Sequence, residues 1–201
     1  MDTDKMAVLT ERDHIGIFGR MNAGKSSIIN LLTQQETSIV DSTPGTTADT
    51  KIALQEIHGI GPVKLFDTAG IDETNILGDK KRKRALSDLK ECDLILLVIN
   101  PAKSNFSAEK KIINQVIEHN KQILIIYNLF NSEDKNNLNK IEKEISAIKY
   151  CKKINLSAID EKFRQPLIDF IIQNFESKNQ KIPLLPFLVK NDYYILVNTY
   201  R

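Results

Sequence analysis

Six short runs of aliphatic and β-branched residues punctuate the chain: HIGIF (14–18), KIALQEI (51–57), VKLF (63–66), DLILLVI (93–99), QILIIY (122–127) and CKKIN (151–155). Their length and composition are those of strands buried on one or both faces. Between them, polar stretches with recurring apolar positions predict helices over 25–34, 79–91, 107–119, 135–148 and 162–175. GIGP (59–62) reads as the turn joining two antiparallel strands. Strand and helix in alternation predict an α/β domain with a mostly parallel six-stranded sheet, helices on both faces and three layers in all. Ligands of such sheets sit outside the carboxyl ends of the strands, so the loops there are where chemistry is sought.

After about residue 178 the pattern changes. NQKIPLLPFLVK is a proline-punctuated linker, and DYYILVNTY reads as one more strand. The expected organisation is a lead over 1–12, one domain over 13–178, and a linker with a strand over 179–201. That strand is either an added sheet edge or the opening of a further domain. No internal repeat is visible.

Composition narrows the class. The 201 residues are 41% hydrophobic and 27% charged with a net charge of +2, as in soluble globular proteins. So balanced a chain is not expected to bind nucleic acid as a dedicated function, although DKKRKR (79–84) is a local basic run, more simply read as a solvated helix face. Cys92 and Cys151 stand alone, without CxxC or a paired histidine, and read as small core residues in a reducing compartment. His14, His58 and His119 show no metal spacing. No run reaches the ~18–20 apolar residues that span a bilayer, and MDTDKMAVLT is unlike a secretory signal. The expected location is cytoplasmic, with no membrane partner.

The chemistry begins directly behind the first strand. In GRMNAGKSS (19–27), Gly19, Gly24, Lys25 and Ser26 complete G-x-x-x-x-G-K-[ST], the phosphate loop that follows a strand and opens a helix. Glycines let successive N–H groups curl towards phosphate oxygens, and the helix N-terminus adds partial positive charge. Asn22, Ala23, Gly24, Lys25, Ser26 and Ser27 would line the phosphates, with Lys25 on the β- and γ-phosphates and Ser26 on Mg²⁺. DTAG (67–70) closes the third strand: Asp67 would hold Mg²⁺, and the N–H of Gly70 would meet the γ-phosphate. In TPGTT (43–47), Thr47, or else Thr46, would close over Mg²⁺ when the triphosphate is present, as a switch.

These stretches resemble the translation-factor-related GTPases of the Era, EngA and TrmE group. The stretch 61–100 resembles more particularly the GTPase domain of HydF, the iron-iron hydrogenase maturation family. It has Gly-Pro before the strand, then DTAGID, Leu-Gly and a basic helix, and TTAD lacks the arginine that follows the threonines in the TrmE group. The resemblance implies a P-loop GTPase (G) domain, GTP and GDP as ligands, and a slow hydrolytic switch timing metallocluster-assembly partners. It also implies a homodimer for the full-length protein. No iron–sulfur cluster is expected in this chain, because neither cysteine matches a cluster position. The alternatives are a GTPase of ribosome assembly or tRNA modification, and a degenerate nucleotide-binding module with relaxed base choice.

Two departures follow from the resemblance. The glutamine that orients water in Ras-type switches is replaced by Ile71, which has no hydrogen bond to give, while Asp72 and Glu73 are water-orienting candidates or solvated charges. In the TrmE-like group the P-loop asparagine helps hold K⁺, so Asn22 joins Lys25 and Thr47 as an expected catalytic residue; otherwise Asn22 only caps the loop. Guanine selectivity in these proteins comes from N-K-x-D, and here the fifth strand is followed by NLFN (128–131). Asn128 survives, Leu129 offers an apolar stem, and Asn131 replaces the carboxylate. Losing one charge-assisted partner should weaken GTP roughly ten- to a hundredfold. A register shifted to Asn131–Asp134 would restore N-x-x-D if the strand ran three residues longer. In NLSA (155–158), the backbone of Ser157 and Ala158 would meet the base O6.

Overall fold

The computed structural model describes residues 12–33, 51–68, 77–103 and 105–176. One sheet contains β1 (Asp13–Phe18), β2 (Lys51–Ile57), β3 (Gly61–Asp67), β4 (Leu94–Ile99), β5 (Gln122–Asn128) and β6 (Lys152–Leu156). Its strand order is β2-β3-β1-β4-β5-β6, parallel throughout except for the β2–β3 hairpin. The helices are α1 (Lys25–Thr33), α2 (Leu77–Glu91), α3 (Ser107–Glu118), α4 (Leu138–Glu144) and α5 (Arg164–Asn174).

Every side chain of β4 is buried, because the strand faces a core on each side. Leu94, Leu96 and Val98 join Ile28 and Leu32 of α1 and Leu167 and Ile171 of α5 in one core. Ile95, Leu97 and Ile99 join Leu89 of α2, Ile112 and Val116 of α3, and Ile141 of α4 in the other. Alternating side chains thus produce the expected three layers, and a continuous apolar run reads correctly as a central parallel strand. Strand order reverses around β1, which places the loop after it in the crevice at the carboxyl edge of the sheet.

The hairpin departs from the expected boundary. The turn is 58–60, closed by Ile60 N–H to Ile57 O at 2.9 Å, while Gly61 and Pro62 already belong to β3. Proline is tolerated there because β3 pairs with β1 only from Val63 onward. The single helix expected over 135–148 is three pieces: 3₁₀ over Ser132–Asn137, α4, and 3₁₀ over Ser146–Tyr150. The apolar spacing still works, since Ile141, Ile145 and Ile148 are all buried although the helix breaks at Ile145 (φ −117°, ψ 81°). The strand expected within 192–200 lies outside the described residues.

α2 is anchored at its end. Lys121, just before β5, donates its ammonium to the carbonyls of Lys90 (2.6 Å) and Cys92 (2.9 Å), a cation placed at the negative end of a helix. Burial, with help from the Asp88 and Asp93 carboxylates, pushes the Cys92 thiol well up. Among the described residues no helix is long and apolar enough to cross a membrane.

Candidate functional site

The loop 19–24 turns tightly where β1 ends. Gly19 (φ 151°), Asn22 (φ 60°) and Gly24 (φ 98°) all have positive φ. A Cβ on Gly19 would lie 2.4 Å from Val98 O, and one on Gly24 would lie 2.0 Å from Nδ2 of Asn128. Both glycines are therefore required twice, by conformation and by close approach. Asparagine is among the few side chains that adopt the left-handed conformation readily, so Asn22 has a backbone reason to be there.

Lys25 opens α1 and is only 8% exposed. Its ammonium donates to Gly19 O (3.2 Å) and Arg20 O (2.8 Å), so the loop is wrapped around the charge that phosphates would meet. The first hydrogen bond of the helix runs from Ile28 N–H to Gly24 O at 3.0 Å. The amides of the preceding turn are those a helix N-terminus directs at an anion. Ala23 is buried beneath the loop, Ser27 is half-buried, and Asn22 and Ser26 are exposed.

Asp67, at the end of β3, is brought to Ser26: the hydroxyl donates to Oδ2 at 3.2 Å. A hydroxyl and a carboxylate at one point are hard oxygen donors of the kind Mg²⁺ takes, so the pair fits that ion. Thr68 fixes the approach, with Oγ1 donating to Ile17 O at 2.7 Å from a buried position. Thr46, Thr47 and Gly70, and likewise Ile71, Asp72 and Glu73, lie outside the described residues. Among the described residues no group of three or more His, Cys, Asp or Glu gathers as a metal site.

The side of the site where a base is expected is organised by Asn128, which is 2% exposed. Its Nδ2 donates to Ala23 O, and its Oδ1 accepts from Ala158 N–H, each at 2.9 Å. One amide thus pins the β5 loop to the phosphate loop and to the NLSA loop, and the Ala158 N–H expected on a base oxygen is engaged by Asn128 instead. Ser157 is half-buried beside it. Leu129 packs against the core on the α2–α3 side, so its stem is not the apolar surface these loops offer outward.

The shifted register is not what the chain builds. β5 ends at Asn128, and Asn131, extended at φ −136° and ψ 159°, caps the 3₁₀ turn that follows. Asp134 Oδ2 accepts the N–H groups of Phe130 (2.8 Å) and Asn131 (2.9 Å), so this carboxylate braces the loop from within. Asn131 itself is exposed.

Comparison with known proteins agrees with this arrangement. The family model described as "50S ribosome-binding GTPase" matches residues 14–129, more than half of the chain. The chain belongs to this GTPase family. The tRNA modification GTPase MnmE of Lactococcus lactis subsp. cremoris (strain MG1363) is 34% identical over 162 residues, covering 79% of this chain and 34% of the relative. MnmE of Streptococcus mutans is 33% identical over 163 residues, covering 81% and 35%. The chain therefore spans about a third of the length of these curated relatives. Among solved structures, a point variant of Aquifex aeolicus Era bound to GDP·AlF4⁻ superposes with a TM-score of 0.66 at 22% identity, over 88% of this chain and 60% of Era. At that identity the likeness shows the fold, that of a G domain.

Sequence reasoning missed one further contact in this GTPase. Arg20, second in the phosphate loop, pairs through Nε with Oε2 of the buried Glu109 on α3 at 3.4 Å. The partners are far apart in sequence, and no motif marks the pair. An apolar cleft of about 350 Å³ also opens between α2 and α3, lined by Phe18, Ala85, Leu89 and Ile112. Among the described residues that line it there is no carboxylate.

Proposed function

We propose that this chain is the GTP-hydrolysing switch module of a larger protein acting in tRNA modification or ribosome assembly. The carrying observation is the phosphate loop curled around Lys25 with Ser26 and Asp67 hydrogen-bonded beside it. Lys25 neutralises the β- and γ-phosphate oxygens, and the N-terminal amides of α1 orient them in line for attack by water. Ser26 and Asp67, with Thr47, would hold Mg²⁺, which when bound would supply neutralising positive charge to the phosphates. Asn22, exposed at the loop tip, presents a hard oxygen suited to K⁺. With Ile71 unable to orient water, basal turnover is slow and depends on that added positive charge.

The MnmE relatives support this reading over the hydrogenase-maturation one, which rests on sequence features of 46–49 and 61–100. Turnover of GTP with Mg²⁺ in KCl and in NaCl at equal ionic strength tests the mechanism. Stimulation by K⁺ that disappears in Asn22→Ala is the expected result, and equal rates in the two salts remove the K⁺ role. Full-length protein retaining RNA with a steep salt dependence would support the RNA-associated reading. Retention of hydrogenase-maturation proteins with no RNA would favour the other.

A further inference from the structure

Two buried polar side chains near the carboxyl ends of β5 and β6 are engaged within the fold. Asn128 bridges Ala23 and Ala158, and Asp134, 4% exposed, accepts two backbone N–H groups of its own loop. Beside polar residues such as Asn131, Glu161 and Lys162, these loops expose two large apolar side chains: Phe130 is 45% exposed and Ile159 is 78% exposed. β5 and β6 are parallel neighbours with Asn128 opposite Leu156, so Phe130 and Ile159 emerge from adjacent strand ends. Phe130 also borders the phosphate loop, its Cζ lying 3.8 Å from where a Cβ on Gly24 would be.

A purine offers a π face that all bases share and a polar edge that tells them apart. Reading both guanine donors, N1–H and N2–H₂, takes two acceptors. Asn131 has one acceptor oxygen and otherwise only donors, and the nearby carboxylate of Asp134 braces backbone. Resting on the nucleotide reading above, we propose that this site holds its purine chiefly by stacking on Phe130, with Ile159 on the adjoining loop. It therefore distinguishes guanine from adenine only weakly. An aromatic platform accepts any base, because selectivity comes from edge hydrogen bonds and not from the face.

Calorimetric titration of the full chain with GDP, ADP and pyrophosphate tests this, using wild type, Phe130→Ala, Phe130→Leu and Asn131→Asp. The expected result is GDP and ADP dissociation constants within about tenfold of each other, with Phe130→Ala weakening both by about tenfold and leaving pyrophosphate unchanged. Phe130→Leu should fall between, and Asn131→Asp should tighten GDP about tenfold without helping ADP. Should Phe130→Ala fail to fold, Phe130→Leu and Asn131→Asp carry the comparison. GDP preferred over ADP by more than about a hundredfold in the wild type overturns the inference. So do purine affinities indifferent to both Phe130 substitutions. If pyrophosphate binds as tightly as either nucleotide, the phosphate loop stands and this inference alone falls. If nothing binds, the nucleotide reading itself fails.

Discussion

The two halves of the candidate site, the phosphate loop around Lys25 and the loops after β5 and β6 where a base is expected, are built by different means. Around Lys25 the work is done by backbone: two glycines pressed against Val98 and Asn128, a left-handed asparagine, and carbonyls turned onto an ammonium. Around Asn128 it is done by side chains, and those that would read guanine are altered: Asn131 stands where a carboxylate is expected, and Asp134 is committed to its own loop. Backbone geometry tolerates few sequences, so that end keeps its form. Base choice rests on a few donors and acceptors, so it can drift while the fold and the phosphate loop persist.

The largest effect that would break this contrast is expected from Lys25→Ala. It should weaken triphosphate binding by about a hundredfold, roughly 3 kcal/mol, measured by calorimetry. Gly24→Ala comes next, because it strains φ and pushes a methyl into Asn128, damaging both ends at once. Roughly 2–3 kcal/mol of stability should be lost in urea denaturation, along with nucleotide affinity. Asn128→Ala leaves Ala23 O and Ala158 N–H buried without their partner and should cost about 2 kcal/mol. Asn128→Asp keeps the acceptor for Ala158 but sets a buried carboxylate oxygen against Ala23 O, so a loss at least as large is expected in the same denaturation series.

The smallest effect is a control remote from both ends. Burial raises the Cys92 thiol well above its ordinary value, and burial also raises the half-buried Cys151. Both therefore stay protonated near pH 8, and iodoacetamide should modify Cys151 at least about tenfold faster than Cys92 in the folded protein. The sign for stability follows. The unfolded chain releases thiol protons near pH 8.5 while the folded chain retains them, so stability is full below that pH and falls as pH rises past it.

The sheet was legible because LILLVI and its neighbours can satisfy two cores only as central strands, and the phosphate loop because its spacing is fixed by the anion it wraps. The hairpin boundary misread at Gly61–Pro62 reflects a position where β3 has a partner on one side only, which spares the proline. The broken helix after Ser132 kept its apolar spacing, so periodicity could not reveal the break at Ile145. Contacts between distant segments left no trace in sequence. Arg20 with Glu109, Thr68 with Ile17, and the bridging role of Asn128 exist only once the strands lie side by side.

The lysine that caps α2 has a mechanical consequence. α2 follows the segment leading from Asp67, and its far end is clamped by Lys121 while Leu89 and Cys92 are sunk in the core. Any tilt of that helix must pivot about this clamp, with amplitude growing towards Leu77 and vanishing near Glu91. That pivot therefore sits at the amino ends of β4 and β5, opposite the phosphate loop at the carboxyl end of β1.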